Sequence, residues 1–358
     1  MSNLKSVLMM AGGTGGHIFP GLSVAHYLRE QGIEVNWLGT QAGLEARLVP
    51  AAGFSIYFIS IGGLRGKDFK TKLLAPWKLT IAIFQALRII RKLNPDIVLG
   101  MGGFASGPGG LAAWLLRKKL IVHEQNAKAG FTNRCLAKVA AKVLEGFPTT
   151  FKQRNNVITV GNPVRKEIIH CRESIDSLSK ERMHLLVLGG SLGAQAINQL
   201  LPYALAKLPE SLRPLVRHQA GEKHFAETLT AYQRAGVFAE VVPFIAEMDK
   251  AYAWADIVLC RAGALTIAEL CAAGLGAILV PYPYATDDHQ TTNAEFMVKQ
   301  GAAILVQQTA LTEDVLAKML QTLCASETER VAMAKAAYQL RKIDATEKVL
   351  AICEEVCS

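Results

Sequence analysis

The sequence predicts an α/β protein with two similar doubly wound domains, each built on a parallel sheet, that face a cleft. Two stretches of the chain read as an apolar strand, a glycine-rich loop and a helix, at residues 7–31 and 185–207. After each of them, short apolar runs alternate with longer segments that end at Gly or Pro, as in parallel sheets covered by helices. At 358 residues, the chain is also long enough for two hydrophobic cores.

In the first half, the predicted strands lie at residues 7–11, 35–38, 96–99, 120–122 and 157–160. Glycine-rich turns follow the first and third strands, at residues 12–17 and 100–108, which predicts close approach of bare backbone to a partner. The fourth strand leads into the polar cluster His123-Glu124-Gln125-Asn126. Because α/β proteins bind ligands at the carboxyl ends of strands, this cluster is a candidate site. The pattern breaks near residues 156–165, where we place the domain boundary.

In the second half, the predicted strands lie at residues 185–188, 215–218, 240–242, 257–260, 277–280 and 303–306. The turn after residue 260 enters a helix that carries Thr266 and Glu269. The unpaired first amides of a helix favour anions, so a diphosphate fits over Gly263 and Ala264, and Glu269 could accept hydrogen bonds from a ribose. A capping box between Thr266 and Glu269 would explain the same pair, and both interpretations stay open.

Composition and motif spacing exclude some classes of function and favour others. The net charge of +9 predicts an anionic partner, and because the cations are spread along the chain, a phosphorylated substrate or an acidic membrane is favoured over nucleic acid. The first glycine loop lacks the G-x-G-x-x-G spacing of NAD-binding proteins, and residues 62–68 lack the spacing of a P-loop. No Asp-x-Asp motif occurs, so we expect neither a metal nor another cofactor. The seven cysteines include no Cys-x-x-Cys pair, which predicts reduced, cytosolic thiols.

Residues 76–90 predict an amphipathic helix with two apolar stripes. Leu79, Ile83, Leu87 and Ile90 form a stripe expected to face the core, and Trp77, Ile81 and Phe84 form a second one. The surrounding lysines are Lys67, Lys70, Lys72 and Lys78. Aromatic side chains within a basic rim suit an anionic bilayer, and since no apolar run is long enough for a span, the contact would be peripheral. Packing beneath residues 60–69 or in a dimer remains the alternative.

Six motifs, taken together and in order, closely resemble one bacterial family, the peptidoglycan GlcNAc transferases that make lipid II. They are Gly12-Gly13-Thr14-Gly15-Gly16-His17, residues 100–108, residues 123–126, Gly161-Asn162-Pro163-Val164-Arg165, residues 189–194, and residues 261–266 with Glu269. The resemblance covers essentially the whole chain. It implies a GT-B fold of two Rossmann-like domains: residues 1–163 with a last helix, residues 342–358, crossing back, and a donor domain of residues 164–341.

The resemblance also implies an activity and a location. Family members transfer GlcNAc from UDP-GlcNAc to the 4-hydroxyl of the MurNAc in lipid I and invert the anomeric centre. They work as peripheral proteins at the cytoplasmic face of the inner membrane. Proteins of the cell-wall synthesis complex are further implied partners.

Site residues carry over one by one from the resemblance. The donor set is Ile245 near the uracil, Glu269 on the ribose, Ser191, Arg165, Ala264, Leu265 and Thr266 on the diphosphate, Gln290 and Asn293 on the GlcNAc, and Ile267 and Ala268 as further substrate-binding residues. The first-domain set is Thr14, Gly15, Gly16 and Asn126 on the sugar and acceptor, with Gly102, Gly103 and Ser106 on the acceptor. His289 stands beside Gln290 at the place where some relatives have two glutamines.

His17 is the candidate general base, with Asn126 as a second catalytic candidate. His17 ends the first glycine loop, and imidazole is the side chain suited to take a proton near neutral pH. The alternative is that His17 only binds phosphates of the acceptor. Two other functions also stay open: a UDP-sugar epimerase of the same fold, and a non-catalytic UDP-sugar-binding membrane subunit, which would not need His17.

Overall fold

A computed structural model describes residues 4–62, 75–152, 154–172, 182–190 and 193–358 of the chain. Its contacts divide the chain into two compact units. The first unit comprises Met1–Val164 and Ile343–Ser358, and the second comprises Arg165–Lys342.

The first unit contains a seven-stranded parallel sheet in the order β3-β2-β1-β4-β5-β6-β7. Its strands are β1 (Ser6–Ala11), β2 (Glu34–Gly39), β3 (Ser55–Phe58), β4 (Ile97–Gly102), β5 (Lys119–Glu124), β6 (Lys142–Glu145) and β7 (Val157–Thr159). Its helices are α1 (Gly15–Glu30), α2 (Glu45–Ala51), α3 (Ala75–Leu93), α4 (Ser106–Leu115), α5 (Phe131–Leu136) and the last helix, α14 (Ala345–Cys357). The last helix packs on α1, β5 and β6, where Val349 and Cys353 are fully buried in the core of this unit.

The second unit contains a six-stranded parallel sheet in the order β10-β9-β8-β11-β12-β13. Its strands are β8 (His184–Leu188), β9 (Leu215–Gln219), β10 (Glu240–Val242), β11 (Ile257–Cys260), β12 (Gly276–Leu279) and β13 (Ala303–Leu305). Its helices are α6 (Lys166–Ile169), α7 (Gln195–Ala206), α8 (Phe225–Ala235), α9 (Met248–Trp254), α10 (Ala264–Ala273), α11 (His289–Val298), α12 (Glu313–Ala325) and α13 (Glu327–Gln339).

The two sheets confirm the prediction of two doubly wound parallel sheets. In each unit the strand order reverses next to the first strand, between β1 and β4 and between β8 and β11. Open α/β sheets bind ligands at this reversal, beyond the carboxyl ends of the strands. The loops after β1, β4 and β11 therefore lie where a ligand is expected in their own unit.

Several elements differ from their predicted bounds. α1 begins at Gly15, inside the glycine-rich turn predicted at residues 12–17, because the last glycines of the turn already belong to its first helical turn. β5 extends to Glu124, so His123 and Glu124 lie within the strand. β3 and β6 were not predicted; β3 has no fully buried residue, and β6 mixes charged and apolar side chains.

Helix α3 confirms the predicted core stripe only in part: Ile90 is fully buried, and Leu87 packs against the same core cluster. The fully buried line is Ala82, Ala86 and Ile90, whose small alanines allow α3 to pack closely on α4. Leu79 remains 42% exposed near the amino end of the helix, so the predicted core stripe is wrong at that position. Lys67, Lys70 and Lys72 lie outside the described residues. Among the helices that the structure describes, none is both long and apolar enough to cross a bilayer.

Candidate active site

The buried carboxylate of Glu45 fixes the loop between β1 and α1 through hydrogen bonds. One oxygen accepts hydrogen bonds from the Thr40 amide at 2.9 Å and the Thr40 hydroxyl at 2.7 Å, and the other accepts one from the Gly13 amide at 2.9 Å. A side chain at Gly12 would collide with this carboxylate, since its Cβ would lie 2.5 Å from Oε1. Glu45 thus explains why the loop needs bare backbone here.

The predicted first-domain residues Thr14, Gly15 and Gly16 lie at the amino end of α1. Thr14 is the N-cap in an extended conformation, is exposed, and makes no side-chain cap to the helix. The first amides of a helix lack partners within the helix, and its dipole favours negative charge. This end of α1 is therefore suited to an oxygen-rich or anionic group, as predicted for the acceptor.

His17 lies in the first turn of α1 and is partly exposed. Its Nδ1 is 2.8 Å from Oε1 of Gln125. The ring packs on Gly102, where an added Cβ would lie 2.7 Å from Nδ1 and where φ is +106°. Gly102 thus supplies the space that the imidazole occupies.

The two other residues predicted to contact the acceptor have structural partners. The Ser106 hydroxyl is fully buried and shared between the carbonyls of Gly102 at 2.8 Å and Met10 at 3.1 Å. A Cβ on Gly103 would lie 2.3 Å from the Gly12 carbonyl oxygen. Both arrangements favour support of the loops over direct contact with an acceptor.

A buried polar chain extends from His17 into the sheet. Nε2 of Gln125 is 3.1 Å from Nδ1 of His123, and Nε2 of His123 is 2.9 Å from the carbonyl oxygen of Gly161. His123 and Gln125 are almost wholly buried. Burial lowers the pKa of His123 from 6.5 to about 4, so the ring is neutral at physiological pH.

Asn126 is oriented by the carboxylate of Glu124. Oε1 of Glu124 accepts hydrogen bonds from the Asn126 amide nitrogen at 3.0 Å and from its Nδ2 at 3.1 Å. Oε2 accepts from the Gly130 amide at 3.1 Å and from Nδ2 of Asn133 at 2.9 Å. Asn126 is partly exposed, in the same strand–loop segment as Gln125.

In the second unit, the turn after β11 enters α10 without a side-chain cap. The helix begins at Ala264 with Gly263 as its N-cap, two residues before Thr266. Thr266 is thus the third helical residue, and the capping box with Glu269, which was the alternative interpretation of this pair, is not formed. The amides of Ala264, Leu265 and Thr266 belong to the first turn, where an anion finds donors and a favourable dipole.

Glu269 lies in the second turn of α10 and is 7% exposed. Its Oε1 accepts from Nη2 of Arg165 at 3.3 Å, and its Oε2 accepts from the hydroxyl of Tyr252 at 2.9 Å. Burial raises the pKa of Glu269, and Arg165 and Tyr252 oppose that shift. The structure thus brings the predicted diphosphate ligand Arg165 next to the predicted ribose ligand.

The remaining residues predicted to bind the sugar-nucleotide donor lie in varied environments. Oε1 of Gln290 accepts from the Tyr282 amide at 2.9 Å, and the fully buried Asn293 donates to the Ala262 carbonyl at 3.2 Å, so both brace neighbouring turns. Ile245 is half-buried in the loop before α9, Ile267 is buried in the core, and Ala268 is half-buried. Ser191 lies outside the described residues.

Sequence reasoning missed Tyr252 and Glu45 as parts of the site. Tyr252 lies on α9 and Glu45 on α2, whereas the glycine loop leads into α1 and the phosphate-binding turn leads into α10. No spacing along the sequence connects these two residues with those loops. Gln125 and His123 did stand out as a polar cluster after a strand, but the sequence offered no means to order them into a chain.

Comparison with known proteins agrees with this architecture. The glycosyltransferase family 28 N-terminal domain matches residues 7–145, and the family's C-terminal domain matches residues 184–349. A protein of Nitrosococcus oceani named UDP-N-acetylglucosamine–N-acetylmuramyl-(pentapeptide) pyrophosphoryl-undecaprenol N-acetylglucosamine transferase is 53% identical, over 98% of this chain and 99% of its own.

Solved structures give the same result. The crystal structure of MurG from Acinetobacter baumannii is 41% identical, with a TM-score of 0.84 over 98% of this chain and 99% of that one. A UDP-N-acetylglucosamine 2-epimerase is 12% identical, with a TM-score of 0.66 over 97% of this chain and 95% of that one, and it shares the fold alone. The GT-B fold class is confirmed. The chain therefore belongs to glycosyltransferase family 28 and, within it, to the MurG family.

Proposed function

We propose that this chain transfers GlcNAc from UDP-GlcNAc to the 4-hydroxyl of the MurNAc in lipid I, with inversion, and so makes lipid II for peptidoglycan synthesis. The observation that carries the proposal is the 53% identity to the N. oceani transferase over nearly the full length of both chains. The amino end of α1, with His17, and the amino end of α10, with Arg165 and Glu269, supply the phosphate-binding groups and the base that such a transfer needs.

The second unit is proposed to bind the donor. The diphosphate accepts from the first amides of α10 and from Arg165, and these donors ease the negative charge that grows on the leaving UDP. Glu269 accepts from the ribose hydroxyls, and Ile245 packs near the uracil. The ion pair between Arg165 and Glu269 at 3.3 Å supports this assignment, because one side chain then serves the phosphates and the other serves the sugar beside them.

The first unit is proposed to bind the acceptor and to hold the base. The 4-hydroxyl of MurNAc loses its proton to His17 as its oxygen attacks the anomeric carbon, and the bond from that carbon to the diphosphate oxygen breaks. The first amides of α1 and the Asn126 side chain bind the sugar and acceptor. The partial exposure of His17 beside the amino end of α1 supports its role as the base.

The outer face of α3 is proposed to bind the cytoplasmic surface of the inner membrane. Trp77 is 68% exposed, Ile81 37% and Phe84 62%, and they recur at spacings of four and three residues along one side of the helix. Lys78 and Arg88 are exposed on the same helix. Apolar side chains with flanking cations bind anionic lipid surfaces without crossing them.

The test is to incubate the protein with labelled UDP-GlcNAc and a lipid I analogue and to follow disaccharide-lipid, free UDP and the epimerised nucleotide sugar in parallel. We expect label in the disaccharide-lipid, with UDP released in equal amount. Epimerised donor without transfer would favour the epimerase, and donor binding without turnover would favour a binding subunit. The same assay in EDTA tests the expectation that no divalent ion is needed.

A further inference from the structure

Only one assignment of donors and acceptors satisfies every contact in the hydrogen-bonded chain from Gly161 to His17. The carbonyl oxygen of Gly161 can only accept, so Nε2 of His123, 2.9 Å away, carries a hydrogen. A neutral imidazole has a single N–H, and His123 is fully buried and neutral. Nδ1 of His123 therefore carries no hydrogen and must accept a hydrogen bond from a donor.

The orientation of the Gln125 amide follows from this. Its Nε2 lies 3.1 Å from the bare Nδ1 of His123 and 3.4 Å from the His123 carbonyl oxygen, so both contacts require the NH2 group at this end. The reversed amide would place an oxygen against two acceptors. Oε1 of Gln125 consequently faces His17.

The tautomer of His17 is fixed in turn. Its Nδ1 lies 2.8 Å from Oε1 of Gln125, an acceptor, and must carry the ring hydrogen. Nε2 is left with a free lone pair, and among the residues that the structure describes it has no hydrogen-bond partner. Without Gln125, the proton of a neutral imidazole could occupy either nitrogen, and a ring protonated at Nε2 cannot take a proton there.

We infer that Gln125 is a positioning residue that holds His17 in its Nδ1–H tautomer, so that Nε2 is the atom that receives the proton of the acceptor hydroxyl. The direction of the chain is set by His123 and the Gly161 carbonyl. This inference rests on the proposed function. When Nε2 takes the proton, the imidazolium keeps its Nδ1–H bond to the amide oxygen, which also stabilises the positive charge. In serine proteases, loss of the group that fixes the tautomer of the histidine base lowers kcat by about 10⁴-fold.

The first measurement reads the tautomer without any reaction. ¹⁵N-histidine-labelled protein is examined by NMR near pH 8 without nucleotide or acceptor, and the signals missing from His17→Gln identify His17. We expect a protonated Nδ1 and a bare Nε2 in the wild type, and a mixture in which Nε2–H is prominent in Gln125→Met. A wild-type ring protonated at Nε2, or an unchanged tautomer in Gln125→Met, would overturn the inference. Because no substrate is present, this result does not depend on the proposed transfer.

The second measurement uses kinetics with a water-soluble acceptor. We expect Gln125→Met to lower kcat by about 10- to 100-fold, since a positioned base contributes ~10²–10⁴-fold, while the KM for UDP-GlcNAc changes less than about twofold. Gln125→Glu keeps an oxygen acceptor for Nδ1 of His17, and its second oxygen can accept from Nδ1 of His123 once that ring takes up a proton, so this variant should restore part of kcat. The matched control is Gln85→Met, which removes amide hydrogen bonds to Ser60 of 2.7 and 3.2 Å in the same unit. Equal loss in Gln125→Met and Gln125→Glu would mean that the amide only supports packing.

Discussion

The hydroxyl of Tyr252 donates a 2.9 Å hydrogen bond to Oε2 of Glu269, and both side chains are buried. Tyr252 comes from α9 and Glu269 from α10, so a residue outside the phosphate-binding turn fixes the carboxylate proposed to hold the ribose. Burial raises the pKa of Tyr252 well above its usual value, so the phenol keeps its proton and remains a donor.

Tyr252→Phe is expected to weaken UDP binding about fivefold while the protein stays folded. Phenylalanine fills the same space, and the lost hydrogen bond contributes about 1 kcal/mol. Calorimetric titration with UDP measures the effect. An unchanged affinity together with a lowered Tm would assign Tyr252 to the core alone.

Glu269→Gln is expected to weaken UDP binding about 10- to 100-fold, because hydrogen bonds to a charged group contribute about 1.5–3 kcal/mol. The control is the ligand: 2′,3′-dideoxy-UDP lacks the ribose hydroxyls and should bind wild type and variant alike. If the variant lost affinity for both nucleotides equally, Glu269 would act through Arg165 rather than on the ribose.

Gly102→Ala is expected to lower kcat by up to about 100-fold, through displacement of His17. The new Cβ would lie 2.7 Å from Nδ1 of His17. UDP affinity should persist, since the proposed donor residues lie in the other unit. Gly32→Ala is the matched control: φ is +79° there as well, but nothing lies within 4 Å of the added Cβ. Similar losses of kcat in both variants would point to backbone strain instead of contact with His17.

The buried His123 is expected to make stability fall as the pH is lowered. Its pKa is about 4 in the folded chain against 6.5 as the usual value, so its contribution is complete above about pH 6.5 and is lost as the pH falls towards 4. Between about pH 7 and pH 5, His123→Gln should lose about 2 kcal/mol less free energy of unfolding than the wild type.

Denaturant titrations at the two pH values measure this difference. His170→Gln, at an exposed position, is the control for loss of an imidazole. His218, whose pKa burial lowers to about 3, stays in every variant and cancels in the comparison. Parallel loss of stability in wild type and His123→Gln would show that His123 is not the group responsible.

The double variant Trp77→Ser/Phe84→Ser is expected to lower binding to anionic vesicles by at least about tenfold, because each aromatic side chain removed from lipid forfeits ~1.5–3 kcal/mol. Activity on a membrane-embedded acceptor should fall with it, while activity on a short-chain soluble acceptor persists. Trp114→Ser/Phe238→Ser removes the same two residue types at other exposed positions, 49% and 87% accessible, and should bind vesicles normally. Equal loss on both acceptors would make the α3 surface structural.

The sequence predicted those parts of the fold that depend on local pattern. β11 is wholly apolar and fully buried, and its bounds agree with the prediction because a central parallel strand needs an unbroken apolar run. The face of α3 was predicted less well, since apolar residues surround most of that helix and alanines pack closer than leucines. The roles of Gln125 and Tyr252 depend on partners such as Gly161 and Glu269 on other segments, which no local pattern reveals.

The placement of α14 has a consequence for the order in which the protein matures during synthesis. The first unit lacks the helix that covers α1 until residues 345–357 have been made, although its sheet is encoded first. The second unit is one continuous segment, Arg165–Lys342, and has all its parts earlier. At ~5–20 residues per second, about 10–40 s pass between synthesis of the sheet of the first unit and synthesis of α14. The surface that Val349 and Cys353 later cover is exposed during that time. During that interval its apolar surface is open to chaperones, and the half of the protein that emerges first from the ribosome is the last to be completed.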